Sequence, residues 1–308
     1  MKKLRLLIAG VLLLSATSMF ALASYVELSL GGGWSSLGYG LTNQSQPGLS
    51  VGQKGSYGLD AHIGYGLLFN RYIGVGIGVD FARYGATAAM SGQAVWQGVI
   101  DTDGELYDHR VQVNRWTDYQ SLYMVEVPLS LYLHLPISER AALFGQLGVK
   151  ACLPVMSGGK YSGQISHTGF YEPWMMTIDN VPGHGFYTST MEADYTMKTK
   201  MTMAAFAKIG IEGPVDEERR VWLFGAIYGT YHFMPAFDTA NAGTAIGWKN
   251  DTQDQSLLQA HYFMNDYTPL FNTDMAVGKP KPLAIGAEIG IRFRIPHPKR
   301  HDCRCYRW

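Results

Sequence analysis

The chain of 308 residues is short of charge, with Asp, Glu, Lys and Arg making up 16%, and short of cysteine, with three. After the N-terminus it also lacks any apolar run approaching the ~20 residues of a membrane-spanning helix. Each shortage excludes something. Cys152, Cys303 and Cys305 do not make a disulfide framework, and an odd count leaves at least one thiol over. Lys+Arg and Asp+Glu both number 25; setting aside Lys2, Lys3 and Arg5 leaves 22 bases against 25 acids, near −3. Nucleic-acid binding needs a basic surface, so that class is set aside. The 36 glycines follow no three-residue period, which excludes collagen-like structure.

What is present begins with an export signal. Lys2, Lys3 and Arg5 form a basic region, Leu6 to Leu14 an apolar core, and Ala21-Leu22-Ala23 a small-residue cleavage site. The expected division is a signal peptide over 1–23, one domain over 24–295 and a basic tail over 296–308. In that tail Cys303 and Cys305 are close enough to oxidise together, pair with another chain or bind a metal, and Cys152 is too far along the fold to join them.

Leu283 to Ile295 sets the pattern for the whole domain. Leu283, Ile285, Ala287, Ile289, Ile291, Phe293 and Ile295 are apolar, whereas Ala284, Gly286, Glu288, Gly290, Arg292 and Arg294 are small or charged. A period of two puts these sets on opposite faces of a strand. Thirteen residues is long for a soluble strand and enough to cross a bilayer at a tilt. The same alternation predicts strands over Tyr25–Trp34, Tyr57–Phe69, Ile73–Phe81, Tyr119–Leu135, Ala141–Leu153, Met197–Ile211 and Val221–Phe233. Short turns are expected at Asn70-Arg71, Pro136–Arg140 and Gly213–Arg220. Long loops are expected at Ala86–Asp118, Pro154–Thr196 and Met234–Lys281, with a further loop over Leu41–Gln53. Pro128, which cannot donate to a ladder, is expected to force a bulge.

Eight strands with alternating long and short connections describe an antiparallel transmembrane β-barrel, its short turns in the periplasm and its long loops outside the cell. Glycine crowds the polar face, as a cramped interior requires. Aromatics gather at the span ends: Tyr57, Phe81, Tyr119, Tyr123, Tyr231 and Phe233 on the loop side, Phe69, Tyr72 and Phe293 on the turn side. A soluble barrel or sandwich with a wet charged face is the alternative.

Across the mature chain this pattern resembles the small eight-stranded outer-membrane barrels of the OmpA-like transmembrane-domain type. Glu288, Gly290, Phe293 and Ile295 are similar to the C-terminal assembly signal of that family, although Pro296 to Trp308 follow it here. The resemblance implies residence in the cell outer membrane, with outer-membrane lipid, periplasmic chaperones and the barrel-assembly machinery as partners. It fixes fold and location and leaves activity open; no enzymatic activity, cofactor or metal is expected.

The inward face is expected to hold Glu27, Asp60, Asp80, Glu126, Glu212 and Glu288 with Lys150, Lys198, Lys200, Lys208, Arg292 and Arg294. Glu126 is placed opposite Lys150, and Glu27 beside Arg292 and Arg294 across the closing seam. Asp60 and Asp80 are expected near each other, with a shared basic partner. Two readings of this face stand open. The first is a salt-bridge plug in a barrel that is non-enzymatic and structural, or that binds a surface ligand through its loops. The second is a small channel for ions or apolar solutes. A membrane-embedded hydrolase would need Ser or Asp near His167, His184, His232 or His261 at the rim, and no spacing among them forms a triad. Nine aromatics in the three loops, Trp96, Trp116 and Trp174 among them, suit a contact surface.

Overall fold

The structure is a computed structural model; the residues described are 23–43, 48–101, 103–237, 270–273 and 275–296. The expected signal up to residue 22, most of the last long loop and the tail from 297 lie outside them. Eight strands form the barrel: β1 Ala23–Ser36, β2 Leu49–Leu68, β3 Ile73–Ile100, β4 Leu106–Ser138, β5 Ala141–Tyr171, β6 Thr202–Pro214, β7 Val221–His232 and β8 Leu283–Pro296. Each pairs antiparallel with its chain neighbours, and β8 returns to β1 with Glu27 beside Arg292, so the ring closes. A ring has no edge, so each strand has a partner ladder on both sides, as a bilayer demands.

The outer face is a continuous apolar belt. Leu28, Leu30, Ile63, Val79, Leu129, Leu147, Ile209, Leu223, Ile227 and Ile289 are all exposed, Ile289 at 74% of its surface. A water-soluble protein would bury such side chains; here they are the surface that lipid covers. Trp34, Tyr57, Phe81, Tyr119, Tyr231 and Phe233 ring the belt at the loop end, and Tyr72 and Phe293 at the turn end. Belt and ring together exclude the soluble alternative.

The turns are held by side chains. Asn70 Oδ1 accepts from the Tyr72 and Ile73 amides at 2.7 and 2.8 Å, and Asp216 accepts from Arg220 and Val221 at 2.9 and 2.7 Å. Asn and Asp do this because their short side chains reach the backbone two to five residues on.

Three expectations are corrected. The segment Ala86–Asp118 is not a loop: β3 and β4 run on through it as one tall hairpin, to Ile100 on one strand and from Leu106 on the other. Much of Pro154–Thr196 is likewise strand, since β5 reaches Tyr171 and the strand Thr188–Tyr195 pairs back on it. These strands outrun the belt and form a sheet projecting from the loop end. Leu49–Gln53, expected as loop, pairs with the residues around Met90 in the same sheet.

The reason for the misreading is a set of bulges. An extra residue on β4 near Arg115 (φ 54°) moves the buried set from Tyr107, His109, Val111 and Val113 to Trp116, Asp118, Gln120 and Leu122. A second near Gly98 (φ 68°) and a third near Val155 do the same on β3 and β5. Each extra residue reverses which parity points inward, so no single period-two frame spans the strand.

A fourth correction concerns Pro128. Its register with β5 is unbroken, Val127–Ala151, Pro128–Lys150 and Leu129–Val149, and the register with β3 is the same before and after it. Only the pairing of Gly78 and Val79 with this stretch lapses. The missing donor faces β3 and costs a rung of the ladder without an inserted residue.

Candidate functional site

The interior is layered. At the turn end Arg292, fully buried on β8, lies between two carboxylates. Its Nε and Nη2 stand 3.1 and 2.7 Å from Glu27 Oε2, and its Nη1 meets Glu212 Oε2. The rings of Tyr25, Tyr132, Phe144 and Phe224 surround the guanidinium with centroids at 4.6 to 5.1 Å. A planar delocalised cation suits such a box as an ammonium does not. Arg294 does not reach Glu27 as expected: it pairs with Glu212 Oε1 at 2.6 Å and stacks on Trp222. His134 Nδ1 and the Tyr132 hydroxyl also meet Glu212 Oε1, both at 2.7 Å.

Above this layer Lys208 Nζ lies 2.9 Å from Glu288 Oε2, and His62 bridges Glu27 and Asp80. Gly290 faces inward in the same region; a Cβ there would run into the Phe224 ring and the Leu28 carbonyl. Phe293 and Ile295, the other two residues of the assembly-signal pattern, face outward.

The next layer centres on Lys150. Its Nζ lies 2.7 Å from Asp80, 2.8 Å from Glu126 and 3.5 Å from Asp60. The cross-strand partner of Glu126 is Cys152, two residues from the expected Lys150, and the ion pair runs on the diagonal. Asp60 pairs in register with Ala82, and His62 with Asp80, so the two aspartates meet only through the shared ammonium. Tyr84 donates to Glu126 Oε1 at 2.8 Å. Lys198 and Lys200, expected inside, are exposed and lie beyond the start of β6. The lumen therefore holds six acids and four bases among the described residues, with His62 and His134 bonded to the acids. Both histidines sit in phase with the polar face, which was the available signal for their role.

Towards the loop end the interior turns apolar. Leu37, Tyr39, Leu122, Met124, Phe237 and Phe271 pack in one cluster, and Leu49, Met90, Val111, Val113, Trp116, Ile165, Leu270 and Met275 in the next. Asp118 ties the covering segments down: it accepts from Tyr195 Oη at 2.5 Å, Gln120 Nε2 at 3.0 Å and the Leu270 amide at 3.1 Å. Higher still, His109 Nε2 and His167 Nδ1 are 3.1 Å apart in a buried pair against Phe186 and Tyr107. Burial alone pushes His167 down to about 4; burial, helped by the facing ring, pushes His109 down to about 3.

The rim groups weighed for hydrolysis are spread apart. Ser157 Oγ donates to the Met197 carbonyl, His167 meets His109, and His184 sits 4.0 Å from Asp101 at the tip. His232 is inside the barrel, and His261 lies outside the described residues.

The closed eight-membered ring, the lipid-facing belt and the two aromatic girdles define an eight-stranded transmembrane β-barrel. No protein family matches the sequence, and no curated protein aligns with it. Among solved structures the chain is similar to Neisserial surface protein A (NspA), at 10% identity over 88% of this chain and 96% of the other, TM-score 0.34. It is similar to the outer membrane protein OprG from Pseudomonas aeruginosa, at 10% identity over 90% and 98%, TM-score 0.37. A third likeness is to Ail, the attachment invasion locus protein of Yersinia pestis, at 12% identity over 88% and 99%, TM-score 0.27. The class rests on the ring and the belt, and these likenesses add no residue correspondence to it.

Proposed function

We propose that the protein is a non-enzymatic, non-conducting barrel of the cell outer membrane that acts through the sheet projecting from its loop end. The observation carrying this reading is the doubly filled lumen. Ion pairs occupy the turn-side half and apolar side chains the loop-side half. The cavity lined by Tyr25, Glu27, His62, Asp80, Pro128, Gln146 and Lys208 measures about 10 Å³, room for about one water. An ion path needs continuous water, and a channel for apolar solutes has no use for a buried lattice of charges.

The projecting sheet, by contrast, offers a surface. At its tip Ile100, Leu106, Trp174, Met175, Met176 and Val181 are exposed, Met175 at 77%. They stand far outside the belt, so lipid does not explain them. Exposed Trp and Met grouped on a polar surface mark a contact site for a partner. The short 3₁₀ turn Glu172–Trp174, ended by Met175 in the left-handed region, presents them. Glu288, Gly290, Phe293 and Ile295 serve insertion by the assembly machinery, and the turn end faces the periplasm.

Bilayer conductance of the refolded protein is the test, with no steady single-channel current expected. Steady currents would replace this reading with the channel. Protease added to intact cells should cut near Trp174 and leave the Asn70 turn untouched, and cutting at that turn would reverse the orientation.

A further inference from the structure

Among the described residues of the lumen, His232 is the imidazole with both ring nitrogens left over. His232 is fully buried, yet neither ring nitrogen has a hydrogen-bond partner among the described residues. An imidazole enclosed this way meets the Tyr84 ring edge-on but regains no hydrogen bond for the water contacts it loses, so an apolar residue would serve packing better. Its Nε2 lies 3.8 Å from Glu126 Oε1, and Cys152 Sγ completes a triangle of ligand-type atoms all within 4.8 Å of one another. The strands bring them together simply. Glu126 and Cys152 are direct cross-strand partners on β4 and β5, and His232 reaches over the small side chain of Ala204, its register partner on β6.

We propose that Glu126, Cys152 and His232 form a buried site for one divalent transition-metal ion of the zinc type. Such ions take thiolate, imidazole and carboxylate ligands at about 2.0–2.3 Å, which spaces the ligand atoms somewhat closer than they stand here, so a small contraction supplies three ligands and leaves the fourth position to a water. The mixed sulfur, nitrogen and oxygen set is wrong for calcium or magnesium, which take oxygen.

Two further features fit. The carboxylate is already oriented, since Tyr84 donates to Oε1 and Lys150 to Oε2, as partners of a metal ligand do. The charge also needs a cation. Three carboxylates, Asp60, Asp80 and Glu126, share the single ammonium of Lys150, with the His62 ring beside Asp80, so acids outnumber bases in this layer. Binding a dication releases the Cys152 thiol proton to water and forms the metal–sulfur bond, so the site gains one net positive charge. Lys150 is kept from opposing the ion by Asp60 and Asp80 on its other side.

The test uses cobalt(II) as the zinc probe, added while the full chain refolds from urea into detergent, because the closed lumen admits nothing afterwards. Cys303→Ser and Cys305→Ser are included throughout so that tail thiols cannot contribute. The expected result is about one equivalent of cobalt with a thiolate-to-cobalt charge-transfer band, abolished by zinc. Cys152→Ser or His232→Gln should each remove the band while the folded form keeps its heat-dependent mobility. Zinc should also raise the urea midpoint of the parent and leave that of His232→Gln unmoved, a readout that stands even where Cys152→Ser does not fold. Absence of the band in the refolded parent, or its survival in both single variants, would overturn the site.

Discussion

The turn-side lumen and the projecting sheet are built from the same kind of strand and solve opposite problems. In the lumen, lipid covers the outside and the charges go in; the interior is a lattice in which Arg292, Lys150 and Lys208 each satisfy acids from other strands. In the projection, water covers the outside, and the interior is an ordinary apolar core around Val111, Trp116 and Ile165. The barrel is thus inside-out below the girdle and right way round above it. The crossover falls at Asp118, Gln120 and Tyr39, buried polar side chains that bond to one another above the charged lattice. Stability below should depend on charge balance, and above on packing and on keeping groups neutral.

The largest effect is expected at Arg292. It neutralises Glu27 and Glu212 together, so Arg292→Met strands two carboxylates where water cannot reach. Breaking one buried pair by removing a partner costs about 3–5 kcal/mol, and here two are broken. Urea unfolding from lipid vesicles should show a loss at or above the top of that range. Arg292→Lys should recover little, because an ammonium cannot fork between Glu27 and Glu212 across four rings. A loss below 1 kcal/mol would mean that water enters and screens the lattice.

Lys150 comes next and distinguishes a cluster from a pair. Lys150→Met should cost about 3–5 kcal/mol. In an isolated pair, adding Glu126→Leu would bring stability back nearly to the starting value. Asp80 and Asp60 remain beside the vacated position at 2.7 and 3.5 Å from where Nζ stood, so the double variant should stay destabilised. Recovery in the double variant would show that Glu126 and Lys150 act alone.

How much of this could be read in advance follows the same division. Below the girdle the alternation is unbroken, so the strands and the inward phase of Glu27, Glu126, Lys150, Glu288, Arg292 and Arg294 were readable from the sequence. Which acid meets which base was not. A shift of two residues in the β4–β5 register sets Cys152 opposite Glu126, and side chains reaching across the lumen join strands that no local pattern relates. Above the girdle the extra residues near Gly98, Arg115 and Val155 each reversed the phase, and the tall hairpins passed for loops. A search for two half-strands of opposite parity joined by one residue would have found Tyr107–Val113 and Trp116–Leu122.

The projection should be the acid-labile part. His109 and His167 stay neutral in the fold down to about 3 and about 4, against about 6.5 in an unfolded segment. Above pH 6.5 neither state binds these protons and the pair costs nothing. As pH falls below 6.5 the opened form takes protons that the closed form refuses, so stability is lost at about 1.4 kcal/mol per pH unit for each histidine until its folded value is reached. Amide exchange over Tyr107–Val113 should therefore accelerate between pH 7 and pH 4.5. His109→Phe combined with His167→Phe should flatten that dependence. Equal exchange at both pH values would show the pair to be open to water.

The smallest effect is expected at Pro128, and it bears on how the two regions join. Pro128 lacks the N–H that would face β3, and pairing of Gly78 and Val79 lapses there although Ile77–Leu129 and Asp80–Glu126 stay in one register. Because no residue is inserted, the parity of β4 is the same on both sides, and Glu126 still points at Lys150. Pro128→Ala restores the donor, and one added hydrogen bond contributes about 0.5–1.5 kcal/mol. Against it stands the conformational freedom that alanine returns to the unfolded chain, about 0.4–1 kcal/mol. The two nearly cancel, so the urea midpoint should move by less than about 1 kcal/mol, while amide exchange at Gly78 and Val79 slows. A bulge at this position would give a different answer, because removing the proline would let the strand slip and turn Glu126 towards lipid. Loss of the barrel on Pro128→Ala would thus show that the proline, and not the charges beyond it, holds the lumen side chains in phase.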